Sequence, residues 1–294
     1  MKTQWTEIDS LEHRRLRRKR RGRKAYLRSI YSLPSLATLG NAICGFGAIY
    51  VASMPIGAIR HMPIYFAGDP SDPFLIAAYL IFLAMGFDAL DGRLARFTRH
   101  TTDFGGQLDS LADAVSFGAA PAFLALELFK HDGPALPDIL ARLVWAIGAL
   151  YLSCALLRLA RFNVSNQHGE QHHFSFLGLP SPAAAALIAS FVLMERDLHL
   201  NDWHILNQLG DLCALIFPAL LLAGALLMVS NVRYPHLVNR YLRGKRSLGR
   251  ILSVLIILLL IVVAHRYVIA LGVTIYVLYG LFSSARYLRR ASHG

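Results

Sequence analysis

The chain carries 18 acidic residues, and five of them fall between positions 88 and 113, within GFDALDGRLARFTRHTTDFGGQLDSLADAVSFGAAPA. Asp88 and Asp91 are three apart, and Asp109 and Asp113 are four apart, so each pair shares one face of a helix. Two neighbouring antiparallel helices joined by a short turn would bring both faces together, and four carboxylates would converge at one depth. Such a group persists only if a cation occupies it or some members carry a proton. All-oxygen donors suit a hard cation, and Mg²⁺ in particular takes one or two carboxylates together with phosphate oxygens of a substrate. The expected occupants are one or two Mg²⁺ or Mn²⁺ ions awaiting a phosphate-containing partner. Gly92 and Gly105 leave the backbone bare beside each pair, which lets a bulky ligand approach. Ala95 keeps that face low, Arg96 offers a fork for a phosphate one turn beyond Gly92, and Thr102 offers a hydroxyl in the connecting turn. Packing glycines and a snorkelling arginine explain these residues one at a time, but not the four aspartates.

The elements that must hold this cluster are membrane helices. Hydrophobic residues make up 55% of the 294 and charged residues only 16%, which excludes a disordered chain and argues against an ordinary soluble enzyme. Cys44, Cys154 and Cys213 lie in apolar stretches without metal-ligand spacing, so neither a disulfide framework nor a zinc site is expected. Apolar runs of spanning length occur near 35–53, 73–93, 109–129, 141–160, 179–195, 211–230, 248–265 and 267–285. The third holds Asp113 and Pro121 and is tolerated only if its polar side faces protein or a water-filled cavity. The last two are parted only by His265, Arg266 and Tyr267 and read as a helical hairpin. With eight spans and both termini cytoplasmic, 25 of the 30 basic residues fall on the cytoplasmic side. The expected fold is therefore an all-α, polytopic transmembrane helical bundle of about eight spans. It divides into a cytoplasmic basic arm (1–32), a six-span membrane core (33–230), a basic cytoplasmic loop (231–247) and a C-terminal helical hairpin with a basic tail (248–294). The run RRLRRKRRGRK at 14–24 reads as an anchor to anionic headgroups, and no nucleic-acid partner is expected. No cleaved signal peptide is expected either, because the first apolar run is long and lacks a small-residue cleavage site.

Residues 88 to 113 form the pattern D-x2-D-G-x2-A-R-x8-G-x3-D-x3-D, which resembles the signature of the CDP-alcohol phosphatidyltransferases at all eight fixed positions. The resemblance implies a helical membrane enzyme in which an alcohol attacks the diphosphate of a CDP-linked lipid and releases CMP. It implies that Asp88, Asp91 and Asp109 hold the metals, that Asp113 contributes to the second metal and acts as the base, and that Gly92, Arg96, Thr102 and Gly105 line the CDP site. LPSLATLGNAICGFGAIYVA (33–52), LADAVSFGAAPA (111–122), RLARFNV (158–164) and FLGLPSPAAAA (176–186) are similar to the branch that uses CDP-diacylglycerol and L-serine. Ser35 stands after Pro34 where many members carry Asn, and Asn41 is the residue of this helix that could serve the nucleotide instead.

Serine must be held by its charged groups. Arg158 and Arg161, three apart at the cytoplasmic end of the fourth span, are candidates for a carboxylate or phosphate clamp and equally for positive-inside anchors. Asn163 and Ser181 are further acceptor-site candidates, whereas Pro180 and Pro182 are expected to set the start of the fifth span. His168, Glu170, His172 and His173 read as a solvated loop. Another acceptor (glycerol phosphate, an inositol phosphate or choline) leaves the chemistry unchanged, so serine rests on the resemblance. An ion transporter is the rival from another class, but it predicts charges spread through the membrane depth and internal repeats. A homodimer in the cytoplasmic (inner) membrane of a bacterium, among membrane lipids and with its site facing the cytoplasm, completes the expectation.

Overall fold

The computed structural model describes residues 35–57, 72–98, 103–167, 178–199, 204–232 and 264–283. The basic arm, most of the connecting loops and the expected seventh span lie outside them. Every regular element among the described residues is helical: α1 (Ser35–Ala52), α2 (Pro73–Thr98), α3 (Asp103–Asp113), α4 (Ala120–Asp132), α5 (Asp138–Gln167), α6 (Ser181–His199), α7 (His204–Val229) and α8 (Ala264–Ser283). A six-residue π-helix, Ala114–Ala119, joins α3 to α4 and makes one long rod of the three. That rod, α1, α2, α5 and α8 are long and apolar enough to cross a membrane. The apolar part of α7, Cys213–Val229, is shorter. Helix α6 carries three successive charges, Glu195, Arg196 and Asp197, near its end.

The helices are inverted relative to those of a soluble bundle. Along α1, Leu36, Leu39, Ile43, Phe46 and Tyr50 recur at spacings of three and four, and all are exposed. Thr38 and Asn41 on the other side are buried. An apolar stripe of that length facing water would be anomalous for a monomer, but it suits contact with lipid chains. Trp145 on α5 and Leu271, Ile275 and Phe282 on α8 extend the same outward surface.

Helix α6 runs through the centre. Its sequence SPAAAALIAS places Ala184, Ala185 and Ala189 at complete burial, so α2 and α7 can approach its backbone closely. Tyr151 of α5, Phe117 of the π-helix and Phe217 of α7 fill the space left by the small residues. Helix α6 starts where it does because the preceding turn is pinned to the end of α7. The Gly178 and Leu179 amides donate to the Val232 and Leu227 carbonyls, each at 2.9 Å. Gly178 sits at φ +87°, and a Cβ there would collide with the Met228 carbonyl, so only glycine fits this turn. Pro180 then presents its carbonyl to the Ala184 amide at 3.0 Å and opens the helix, as expected of it.

The two ends of the bundle differ chemically. From α1 to α7, with α3 and α4 taken as one rod, successive helices alternate in direction, so the C-terminal part of α2, α3 and the start of α6 share one end. Asp72, Asp132 and the residues Glu195 to His199 share the other. At that second end Arg196 pairs with Glu195 (2.7 Å), Asp132 and Asp72 (3.5 Å) and lies 5.5 Å over the Phe74 ring. Helix α8 is tied in nearby: Arg266 pairs with Asp197, and the Tyr79 hydroxyl meets His265 Nε2 at 2.7 Å.

Candidate active site

Of the four aspartates expected to converge, the structure brings three into one tight group and holds Asp113 apart from it. Helix α2 presents Asp88 and Asp91, α3 presents Asp109, and carboxylate oxygens of all three lie within 4.8 Å of one another. Asp91 is 5% exposed and accepts hydrogen bonds from the Thr38 side chain and the Gly92 backbone. Even so, Oδ2 of Asp91 and Oδ1 of Asp109 are buried without a hydrogen-bond partner among the described residues. A buried carboxylate oxygen left unpaired is strongly unfavourable. Two such atoms in one three-carboxylate group are what a divalent cation would relieve, so the donor set fits Mg²⁺ or Mn²⁺. Among the described residues none of the four aspartates forms an ion pair within 4.0 Å.

Asp113 ends α3 and is held separately. Asn41 Nδ2 donates to its Oδ1 at 3.0 Å, and Asn41 itself is completely buried. Asn41 Oδ1 has no partner among the described residues, so the amide spends its donor on Asp113 and keeps an acceptor in reserve. The backbone just beyond Asp113 is anchored to the same helix, because Ser116 Oγ donates to the Asn41 carbonyl at 2.8 Å. A Cβ at Gly45 would overlap Ser116, so glycine lets α1 lie directly against the π-helix. Widened turns of this kind recur at functional sites because they re-aim the residues beside them.

Of the expected nucleotide-site residues, Gly92 is exposed and borders open space, as does Gly106 on α3, and Gly105 is half-buried between Phe104 and Gly106. Arg96 lies on the last turn of α2, with its side chain outside the description, and Thr102 falls outside the described residues. The acceptor candidates separate into two pairs. Arg158 Nη1 donates to Ser181 Oγ at 2.7 Å, bringing α5 to the buried first residue of α6, and Arg158 is also an electrostatic neighbour of Asp113. Asn163 Nδ2 donates to Ser110 Oγ at 2.9 Å, one residue from Asp109, and ties α5 to α3. Arg161 is exposed. The His168–His173 loop lies outside the described residues.

Thr38, Ser110 and Ser116 escaped the sequence reading. Thr38 had a usable signal, since it precedes Asn41 by three and shares its face while the rest of α1 is apolar. Ser110 and Ser116 had none, because their partners lie 53 and 75 residues away.

The sequence is similar to a known family and to several known proteins. A family model described as CDP-alcohol phosphatidyltransferase matches residues 31–232. The chain is 32% identical over 252 residues to a CDP-diacylglycerol–serine O-phosphatidyltransferase of Helicobacter pylori, covering 86% of this chain and 90% of the relative. It is 35% identical over 161 residues to a Methanocaldococcus jannaschii protein of the same description, covering 55% and 64%. It is likewise 35% identical over 164 residues to an archaetidylserine synthase of Methanothermobacter thermautotrophicus, covering 54% and 58%.

Proposed function

The chain belongs to the CDP-alcohol phosphatidyltransferase family, and from that premise we propose that it transfers the phosphatidyl group of CDP-diacylglycerol to L-serine, giving phosphatidylserine and CMP. The observation that carries this reading is the group of Asp88, Asp91 and Asp109 on two apolar helices, with two buried oxygens left unpaired. The descriptions of the relatives support serine as the acceptor.

In this reading Asp88, Asp91 and Asp109 hold divalent metal, Mg²⁺ or Mn²⁺, and Asp113 contributes to a second position. An ion held there would supply the positive charge that offsets the diphosphate and the leaving CMP. The protein's own part is placement and proton transfer. Gly92 and Gly105 leave room for CDP, Arg96 and Thr102 meet its phosphates, and Asn41 offers Oδ1 to the nucleotide. Asp113, steadied by Asn41 Nδ2, takes the proton from the serine hydroxyl as that oxygen attacks the phosphorus nearer the lipid. The bond from that phosphorus to the oxygen bridging to CMP then breaks. Arg158, set by Ser181, grips the acceptor's carboxylate, with Arg161 beside it and Asn163 holding the α3–α5 wall.

The arrangement in the membrane follows from charge placement. Eight spans with both termini cytoplasmic put the carboxylate end at the cytoplasmic face, where CDP and serine arrive while acyl chains stay in lipid. The basic arm (1–32) and basic loop (231–247) flank the 33–230 core on that side, the 248–294 segment completes the bundle, and two copies pair in a bacterial inner membrane.

The test is direct. Purified protein in liposomes should release CMP from CDP-diacylglycerol when given L-serine and Mg²⁺ or Mn²⁺, with phosphatidylserine as the lipid product. Release with glycerol phosphate, an inositol phosphate or choline but not serine would overturn the acceptor and keep the chemistry. No release with any alcohol would overturn both.

A further inference from the structure

Helix α8 lies beyond the 31–232 stretch that the family model matches, yet it is built into the same bundle. Ala270 and Val277 are buried, and Val273 and Tyr276 pack against the core, while Leu271, Ile275 and Phe282 face outward. Its register is set at the end remote from the aspartates by Arg266 with Asp197 and by His265 with Tyr79. From Tyr79, α2 runs toward the aspartate end, and from His265, α8 runs the same way. Eleven residues along either helix is about 16 Å, which brings Tyr276 level with Leu90, between Asp88 and Asp91. At that depth the Tyr276 phenol is an electrostatic neighbour of Arg158. A helix outside the family match therefore delivers a phenol to the guanidinium that sits between Ser181 and Asp113.

We propose that Tyr276 is a positioning residue for Arg158, and that α8 thereby forms one wall of the acceptor pocket and sets its affinity for an amino-acid carboxylate. The proposal rests on the reading of Arg158 as the acceptor clamp. A guanidinium has five N–H donors in a rigid fork, and Nη1 is committed to Ser181. Tyr276, packed against the core at this depth and coupled electrostatically to the same guanidinium, restricts the plane of the fork and leaves its remaining donors for the ligand.

The experiment compares wild type with Tyr276→Phe in liposomes, varying serine and CDP-diacylglycerol separately. The ring, and with it the packing of α8, is kept. The KM for L-serine is expected to rise about 5-fold, while kcat and the KM for CDP-diacylglycerol stay within about 2-fold. The melting temperature in detergent should not change. An unaltered serine KM overturns the role of Tyr276, and so does a joint loss in kcat, both KM values and melting temperature, which would mark a packing residue. Wild-type protein separates the two levels: if it shows no serine-dependent CMP release, the reading of the site has failed, whereas a serine-dependent wild type with an unaffected variant removes only the part assigned to α8.

Discussion

The two ends of this bundle both concentrate carboxylates, and they treat them in opposite ways. They are about 24 Å apart, judged from the sixteen positions along α2 that separate Asp72, just before its start, from Asp88. At the remote end Asp72, Asp132 and Glu195 surround Arg196, and Asp197 has Arg266. Asp132, Glu195 and His199 also gather closely enough to bind an ion, but the protein supplies its own cation there. At the other end Asp88, Asp91 and Asp109 gather just as closely with no ion pair among the described residues. Acidic clustering alone does not separate a structural site from a ligand site. What separates them is whether the chain neutralises the cluster itself, because a buried charge costs several kcal/mol unless something compensates it.

The largest expected effect tests that distinction at the end where no described cation pairs with the cluster. Asp109→Asn should lower CMP release about 10⁴-fold, roughly 5 kcal/mol of barrier, yet leave the melting temperature unchanged or raised, since one of several clustered like charges is gone. In metal-stripped wild type, Mg²⁺ or Mn²⁺ should raise the melting temperature by mass action, and Asp109→Asn should abolish that shift. A variant that kept its turnover, or melted far lower, would make the two ends alike.

The next effect is the mirror image. Arg196→Met strands three carboxylates around no cation and should cost about 4 kcal/mol of stability, read as a fall in melting temperature. Activity per folded molecule should stay within about 2-fold, because the proposed substrate site lies at the other end of the bundle. Equal losses of activity and stability would mean that the remote end participates in catalysis.

A smaller effect arises where α1 meets the π-helix. Gly45→Ala places a methyl against the Ser116 backbone and should cost about 2 kcal/mol by overpacking, with activity reduced as well because Ser116 follows Asp113 by three residues. Gly47→Ala on the same helix meets only a Leu80 methyl at 3.6 Å and should be tolerated. A Gly45→Ala protein as stable and active as wild type would show that the close approach of α1 does not position Asp113.

How much of this was legible in the sequence follows from the range of the interactions. The four aspartates were readable because each pair lies within one turn, and helical periodicity places such pairs without knowledge of the fold. The spans were readable because hydrophobicity over some twenty residues is a local property. Both ends of the third span were blurred, because the helix continues through Gly105, Gly106 and Gln107 before it and Lys130, His131 and Asp132 after it, where hydropathy no longer marks it, so the rod Phe104–Asp132 outruns the expected 109–129. Asn41 was singled out for the nucleotide, but its bond to Asp113 spans 72 residues and no local pattern encodes it. The Arg196 cluster was missed for the same reason, since Asp72, Asp132 and Glu195 look unrelated until three helices meet. Tyr276 carried no signal, since an aromatic residue in an apolar helix is ordinary.

The smallest effect concerns the helix that connects the two ends. Tyr79→Phe removes the hydroxyl that meets His265 and should cost about 1 kcal/mol of stability, a fall of a few degrees in melting temperature. Its consequence for catalysis distinguishes two ways of fixing α8. Arg266 still pairs with Asp197 in that variant, so if both contacts hold the helix in register, Tyr276 keeps its depth and the serine KM stays within about 2-fold of wild type. If the hydroxyl alone sets the register, α8 slides, Tyr276 leaves Arg158, and the serine KM rises as far as it does in Tyr276→Phe. The first outcome is expected, because a part-buried, charge-assisted arginine–aspartate pair opposes sliding more strongly than one neutral hydrogen bond. The second would mean that the charge-neutralised end transmits structure to the catalytic end through a single side chain.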